Sequence, residues 1–363
     1  MILFVTRKYP PSIGGMQRFS YHLARRLAER EEVRLISWGG SQAFLPVFLS
    51  AATIRSVWCF LQADRPRVVY LGDPVLAPLG ALLKGLSHVP LVVTVHGRDI
   101  VFPNKVYQYL LPKFLCGMDR VVCVSEEIRK ECLKRGLQGQ MCVTIPNGVD
   151  VEDFKAVVTR RDIEEVERRA GIGLGGKKVL LSVGRLVPKK GFLYFIADVL
   201  PRILETRDDV CSLIVGDGPQ YNEILKLVKT QGLEDHVRLL GSVPMDSHLL
   251  RALYGLADVF VMPNVPTSGD MEGFGIITLE AWAAGTCVVA SRVNGIKSLI
   301  RHAQDGLLID PYDFEGFAAA VLKLLQDDVY REALEARAKE RVKTVYSWDA
   351  IAEAYSKLLE ALA

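Results

Sequence analysis

The chain has 363 residues, half of them hydrophobic and 24% charged, with a formal net charge of +3. That composition excludes a disordered or fibrous chain and leaves room for two or three domains. No apolar run reaches the ~18 residues of a membrane-spanning helix, and the first residues, MILFVTRKYPP, read as a strand and not as a signal peptide. The seven Cys form no CxxC pair and show no zinc spacing, so reduced core thiols and a cytoplasmic setting are expected.

The charge is uneven. Residues 1–150 hold 19 Lys+Arg against 11 Asp+Glu, while the remainder is net acidic. A basic first half suits an anionic acceptor or an anionic membrane surface. No long basic block interleaved with aromatics argues for nucleic acid, so no nucleic-acid partner is expected.

In chain order, strands are predicted at 2–6, 33–37, 68–71, 91–95, 120–124 and 141–145. Helices fall between them at 16–31, 48–62, 76–86, 105–116 and 126–135. This spacing is that of βαβ units with a parallel sheet buried on both faces. Pro146-Asn147-Gly148 then breaks the rhythm as a linker. The alternation restarts with strands at 179–183, 211–215, 237–240, 259–262, 287–290 and 307–309. Its helices are predicted at 192–205, 220–231, 245–254, 275–284, 296–301, 313–326 and 329–342. A last helix, 347–363, carries Trp348, Ile351, Tyr355 and Leu358 or Leu359 on one stripe and is expected to cross back onto the first domain. The prediction is thus α/β, with two tandem Rossmann-like domains, 1–150 and 151–346. Ligands of such sheets bind beyond the carboxyl ends of the strands, which places the expected site in a cleft between the two domains.

Candidate site residues fall at those strand ends. The stretch 263–290 reads strand end, polar loop, helix, Gly turn and strand. Its helix starts at Gly275, where unpaired N–H groups and a partial positive charge suit phosphate. Glu272 and Glu280 bracket that start. Acids beside a phosphate site suit flanking hydroxyl groups, the shape of a nucleotide sugar. Gly14-Gly15 follows the first strand and lets backbone approach a ligand, although an ordinary strand-to-helix turn would read the same way. His96-Gly97 ends the strand LVVTV, and Asp99 follows, to cap the next segment or to touch an acceptor. Gly184-Arg185 and Lys190 frame a turn where two cations can neutralise a departing diphosphate. Gly216-Asp217-Gly218-Pro219 and Gly241-Ser242-Val243-Pro244 mark two more strand-to-helix turns, the second a place for a base.

With these motifs in hand, the chain resembles glycosyltransferase family 4, retaining enzymes of the GT-B fold. The resemblance covers essentially the whole length and rests on Gly14-Gly15, His96, PNGVD at 146–150, GRLVPKKG at 184–191, GDGP at 216–219 and, above all, EGFGIITLEA at 272–281. It implies that Glu272 contacts the donor sugar and Glu280 the ribose. Backbone N–H groups around Gly275, Ile276 and Ile277 would hold the diphosphate, with Gly273 and Phe274 also binding substrate. Arg185 and Lys190 would stabilise the leaving group, with Gly184 and Asp217 lining the site and Val243 against the base. Gly15 would approach the diphosphate or sugar from the first domain, and His96 would sit by the transferred sugar. The resemblance also implies no metal and no other cofactor, since the Arg/Lys pair takes over a metal's role.

The expected activity is transfer of a hexosyl group from a nucleotide diphosphate sugar, UDP- or GDP-linked, to a lipid, a lipid-linked saccharide or another glycan precursor, at the cytosolic membrane face. Membrane contact is expected through Lys84, Arg98, Lys105 and Lys113 and the apolar residues between 106 and 114. A nucleotide-sugar epimerase, a phosphorylase or a non-catalytic sugar-nucleotide binder remains open on the same scaffold. An NAD oxidoreductase lacks its glycine fingerprint here.

Overall fold

Twelve parallel strands form two separate six-stranded sheets. The computed structural model describes residues 1–154, 158–244 and 246–363. They divide into two units. The first comprises Met1–Gly148, Gly269–Phe274 and Tyr346–Ala363, and the second Val149–Ser268 and Gly275–Val345.

The first sheet contains β1 (Ile2–Thr6), β2 (Val33–Ser37), β3 (Val68–Leu71), β4 (Leu91–Val95), β5 (Arg120–Cys123) and β6 (Cys142–Thr144). Their order is β2-β1-β3-β4-β5-β6, with Ile2 beside both Val33 and Val68. β1, β3 and β4 are buried throughout, the signature of a sheet covered on both faces. The strand order reverses between β1 and β3. Right-handed crossovers place the helix Gly15–Ala28 on one face and the helices Leu45–Leu61, Ala77–Ser87 and Lys105–Leu115 on the other.

The helix Trp348–Glu360 packs on Gly15–Ala28. Its Trp348, Ile351, Tyr355 and Leu359 join Ile2, Phe4, Phe19 and Leu23 in one core cluster. Tyr355 and Tyr70 both hydrogen-bond the buried Thr94 hydroxyl, at 3.0 and 2.6 Å.

The second sheet contains β7 (Lys178–Val183), β8 (Val210–Val215), β9 (Val237–Gly241), β10 (Val259–Met262), β11 (Cys287–Ser291) and β12 (Leu307–Ile309). Its order is β12-β11-β10-β7-β8-β9, reversing between β7 and β10. Its core gathers Phe195, Ile196, Val199, Phe317 and Val321 from the flanking helical segments.

The structure differs from the sequence reading in several places. A helix at Arg160–Ala170 precedes β7, opened by a Thr159/Asp162 capping box and closed by Gly171 in the left-handed conformation. The expected helix 192–205 contains a π-helical segment, Phe195–Val199. The expected helix 245–254 runs His248–Leu256, and Met245 lies outside the described residues. Residues 269–274 and Tyr346, read in sequence as part of the second domain, group with the first unit.

Candidate active site

In the second unit, the switch point between β7 and β10 is built from backbone. A Cβ on Gly191 would lie 1.8 Å from Pro263 O, and one on Gly216 would lie 1.8 Å from Gly184 O. Only glycine permits these approaches. Hydrogen bonds knit the same turns: Gly184 N donates to Val215 O, Gly216 N to Gly241 O and Leu186 N to Asp217 O, each at 2.9 Å, and Val265 N to Lys189 O at 3.0 Å. Over this floor lies the Lys190 side chain. A Cβ on Gly184 would meet its Cε at 3.2 Å and its Nζ at 3.7 Å. Arg185, next to Gly184, is exposed. The Asp217 carboxylate accepts from Gly218 N at 2.7 Å, which ties it to its own turn. Val243 is buried.

The helix Ile276–Ala284 follows β10 through the polar loop. Gly275 opens it in the left-handed region, with φ 85°, and there is neither a side-chain cap nor an acid in the first turn. Its first N–H groups, those of Ile276 and Ile277 among them, have no intrahelical carbonyl to meet. Glu280 is fully buried on this helix, and its Oε2 accepts from the Tyr254 hydroxyl at 2.8 Å.

In the first unit, an ion pair joins a glycine at the switch point: a Cβ on Gly72 would lie 2.7 Å from Thr6 Oγ1. Arg7, past the end of β1, donates from Nε to Asp73 Oδ1 at 2.8 Å, and Asp73, past the end of β3, is completely buried. The same oxygen accepts from Val75 N at 3.1 Å. Burial and then the Arg7 charge push the Lys8 ammonium below its usual pKa. The Tyr107 hydroxyl is driven upward by burial and then by Asp99 and Asp73. Neither Arg7 nor Asp73 stood out in the sequence. The available signal was a charged residue one position past β1 and another two positions past β3.

His96 is held by its Nε2 against Gly72 O at 2.9 Å and by an edge-on contact with Phe19, with ring centroids 4.9 Å apart. In the neutral ring that bond makes Nε2 the donor and leaves Nδ1 an acceptor. Asp99 turns inward. Its carboxylate accepts from His96 N, Gly97 N and Ile100 N, so it caps the turn and does not reach outward for a ligand. Burial raises its pKa, opposed by the His96 charge and by these N–H groups.

Gly273 sits directly on this turn. Its Cβ would lie 1.8 Å from His96 O, a Cβ on Gly97 would lie 2.7 Å from Gly273 Cα, and Ser125 Oγ donates to Gly273 O at 2.7 Å. This packing is why 269–274 belongs to the first unit; Glu272, next to Gly273 in the chain, is half-buried. Phe274 is buried against Tyr346. Gly14 precedes the helix Gly15–Ala28 with φ 154°, and a Cβ there would meet Gln17 Oε1 at 2.5 Å. Gly15 is exposed, and a Cβ on it would touch nothing within 4 Å.

The sequence candidates divide between the two units. Gly14, Gly15, His96, Glu272, Gly273 and Phe274 lie in the first. Gly184, Arg185, Lys190, Asp217, Val243, Gly275, Ile276, Ile277 and Glu280 lie in the second. Among the described residues no group of three His, Cys, Asp or Glu is placed to hold a metal ion.

Comparison with known proteins adds the family. Glycosyltransferase Family 4 matches residues 13–153, and Glycosyl transferases group 1 matches residues 177–327. The GDP-mannose-dependent alpha-(1-6)-phosphatidylinositol monomannoside mannosyltransferase of Mycobacterium tuberculosis is 31% identical over 97% of this chain and 96% of its own. The UDP-Gal:alpha-D-GlcNAc-diphosphoundecaprenol alpha-1,3-galactosyltransferase of Escherichia coli is 31% identical over 76% of this chain and 71% of its own. Among solved structures, Anabaena Alr3699/HepE in complex with UDP superposes with a TM-score of 0.80 at 20% identity, covering 99% of each chain. The chain therefore belongs to glycosyltransferase family 4 and is a glycosyltransferase of the GT-B fold.

Proposed function

We propose that the protein is a retaining, metal-independent hexosyltransferase that moves a sugar from a UDP- or GDP-sugar to a lipid or lipid-linked acceptor. The observation that carries the donor half is the glycine-built floor of the second unit, with the Lys190 ammonium over Gly184. Backbone this close to a ligand, a cation and an uncapped helix start suit a diphosphate. Arg185 and Lys190 take up the negative charge that grows on the leaving phosphate oxygen as the anomeric C–O bond breaks. Gly184 and Asp217 line the floor, Val243 lies against the base, and Glu280, fixed by Tyr254, accepts from the ribose.

The first-unit cluster serves the transferred sugar. Glu272 and the backbone around Gly273 face its hydroxyl groups, Gly15 leaves room for it, and the fixed His96 ring offers one defined nitrogen. Positive charge develops on the sugar, and Glu272 eases it without forming a covalent bond. In this front-side, retaining course the leaving phosphate helps to take the acceptor proton.

Both relatives named above use nucleotide sugars and lipid-anchored acceptors by their descriptions, one GDP-mannose and the other UDP-galactose. They support a lipid acceptor and leave both donors in play. A thermal-shift screen with UDP-, GDP- and ADP-sugars is expected to single out one nucleotide. Product analysis with and without acceptor then separates transfer from epimerisation or phosphorolysis, and unchanged transfer by Glu272→Ala overturns the assignment. EDTA is expected to leave activity in place; complete loss restored by a divalent ion refutes the metal-free course.

A further inference from the structure

The helix Leu45–Leu61 is apolar on both sides. Phe48, Ala52 and Cys59 are buried in the first unit. On the opposite side stand Val47 at 64% exposure, Ala51, Ile54 at 70%, Trp58 at 60% and Leu61 at 75%. These follow one another at helical steps of four, three, four and three, so they form a single outward stripe. Arg55 is the helix's one charged residue. The neighbouring helix Ala77–Ser87 adds exposed Leu82 and Leu86, and the next, Lys105–Leu115, adds exposed Val106 and Tyr109. A surface of this kind is rarely left to water.

The charge around the stripe indicates what covers it. Residues 42–119 carry seven Lys or Arg and four Asp or Glu. Of the acids, Asp73 is buried, Asp99 is bonded to backbone N–H groups and Asp119 is paired with Lys84 at 2.8 Å. Among the described residues of this stretch, Asp64 is the exposed acid, against exposed Arg55, Lys105 and Lys113. Lys113 lies over the Tyr109 ring at 3.6 Å, so an aromatic and a cation share one spot.

We infer that this face seats on an anionic lipid bilayer, with the helix Leu45–Leu61 lying in the plane of the interface and the Val47–Leu61 stripe entering the acyl boundary. Two features favour lipid over a second copy of the chain. A closed two-fold pair would bring the patch onto the same patch of the second copy, setting the cations Arg55, Lys105 and Lys113 among like charges. An anionic surface takes the same cations favourably, and Trp and Tyr suit the headgroup level. Spanning is excluded: 17 residues reach about 25 Å against a hydrocarbon core of about 30 Å. The inference deepens the lipid-acceptor reading and rests on it for its purpose. It also moves the expected membrane face away from 106–114 alone, because Leu111 in that stretch is buried and Lys84 is ion-paired.

The test is co-sedimentation of the full chain with phosphatidylglycerol-containing or pure phosphatidylcholine vesicles, at low and high salt. Wild type is expected to bind the anionic vesicles, more weakly at high salt, with a blue shift of tryptophan emission. The double variant Ile54→Asp, Trp58→Asp is expected to lose at least about tenfold in binding while keeping its nucleotide-sugar thermal shift. Arg55→Glu, an exposed change that spares the apolar stripe, is expected to weaken binding to anionic vesicles alone, and guards against misfolding of the double variant. Wild-type affinity in both variants, or no binding by wild type, overturns the inference. So does a wild-type dimer that the double variant dissociates, which assigns the face to a second copy. Transfer to detergent-dispersed acceptor by a chain that ignores vesicles sinks this inference and leaves the proposed function standing. Vesicle binding without donor turnover does the reverse.

Discussion

The two sheets reverse strand order at equivalent places; glycines pack closely at both switch points, but the groups around them differ. Between β1 and β3 a buried ion pair, Arg7 with Asp73, spans the gap. Between β7 and β10 there is no room for side chains: Gly191 meets Pro263 O, and Gly216 meets Gly184 O, at distances that a Cβ could not survive. One topology thus provides two kinds of surface. Backbone amides and a single ammonium suit the charge of a diphosphate. Oriented polar side chains suit directional recognition of hydroxyl groups. The fold supplies the location, and the residues past the strand ends supply the chemistry.

Asp73→Ala tests the comparison most severely. It removes the buried carboxylate bonded by Arg7 Nε and is expected to cost about 3–5 kcal/mol of stability, read by denaturant unfolding. A loss below about 1 kcal/mol would show that the first switch point does not depend on the pair. Lys190→Ala is expected to lower kcat by about 10²–10³-fold, the loss of one oxyanion-type donor, with the unfolding midpoint unchanged. Turnover within threefold of wild type would remove Lys190 from the leaving-group role. Gly191→Ala is expected to destabilise by about 1–3 kcal/mol through overpacking, visible as a lower Tm and a weaker nucleotide thermal shift. Gly15→Ala sharpens the contrast from the other side. Its methyl group meets no protein atom, so stability should stay within about 0.5 kcal/mol while KM for donor or acceptor rises; unchanged kinetics would mean that no ligand passes there.

Much of this arrangement was legible in the sequence. Each strand announced itself as a short apolar run between turn residues, and β7 through β12 lie within a residue or two of their expected places. EGFGIITLEA was readable because a glycine-opened helix and two acids sit in one continuous stretch. Arg7 and Asp73 were not, because their pairing joins residues 66 apart and leaves no periodic trace. Asp99 was read with two roles open, and only the positions of the His96, Gly97 and Ile100 amides show which one it takes. The helix Arg160–Ala170 is absent from the predicted elements even though Thr159, Asp162 and Gly171 spell its start and stop; its charged composition hides a narrow apolar face of Val166 and Ala170. The outward stripe of Leu45–Leu61 was invisible for the opposite reason. A helix apolar all round gives no contrast between its core side and its other side.

The helix Trp348–Glu360 has a consequence for the order of folding. Its Trp348, Ile351, Tyr355 and Leu359 complete the core beneath β1, β3 and β4, yet they are synthesised only after all of the second unit. On the ribosome that face of the first sheet has only the helix Gly15–Ala28 of this pair until then. Each of these four side chains, once buried, contributes roughly 1.5–3 kcal/mol, more than a small domain can lack without fraying. The second unit, whose strands and helices are nearly continuous in sequence, can mature while the first is still incomplete. Of the two units the first is entered earlier and completed later, so a nascent chain stalled before Tyr346 should present a protease with a loose first unit and a settled second one.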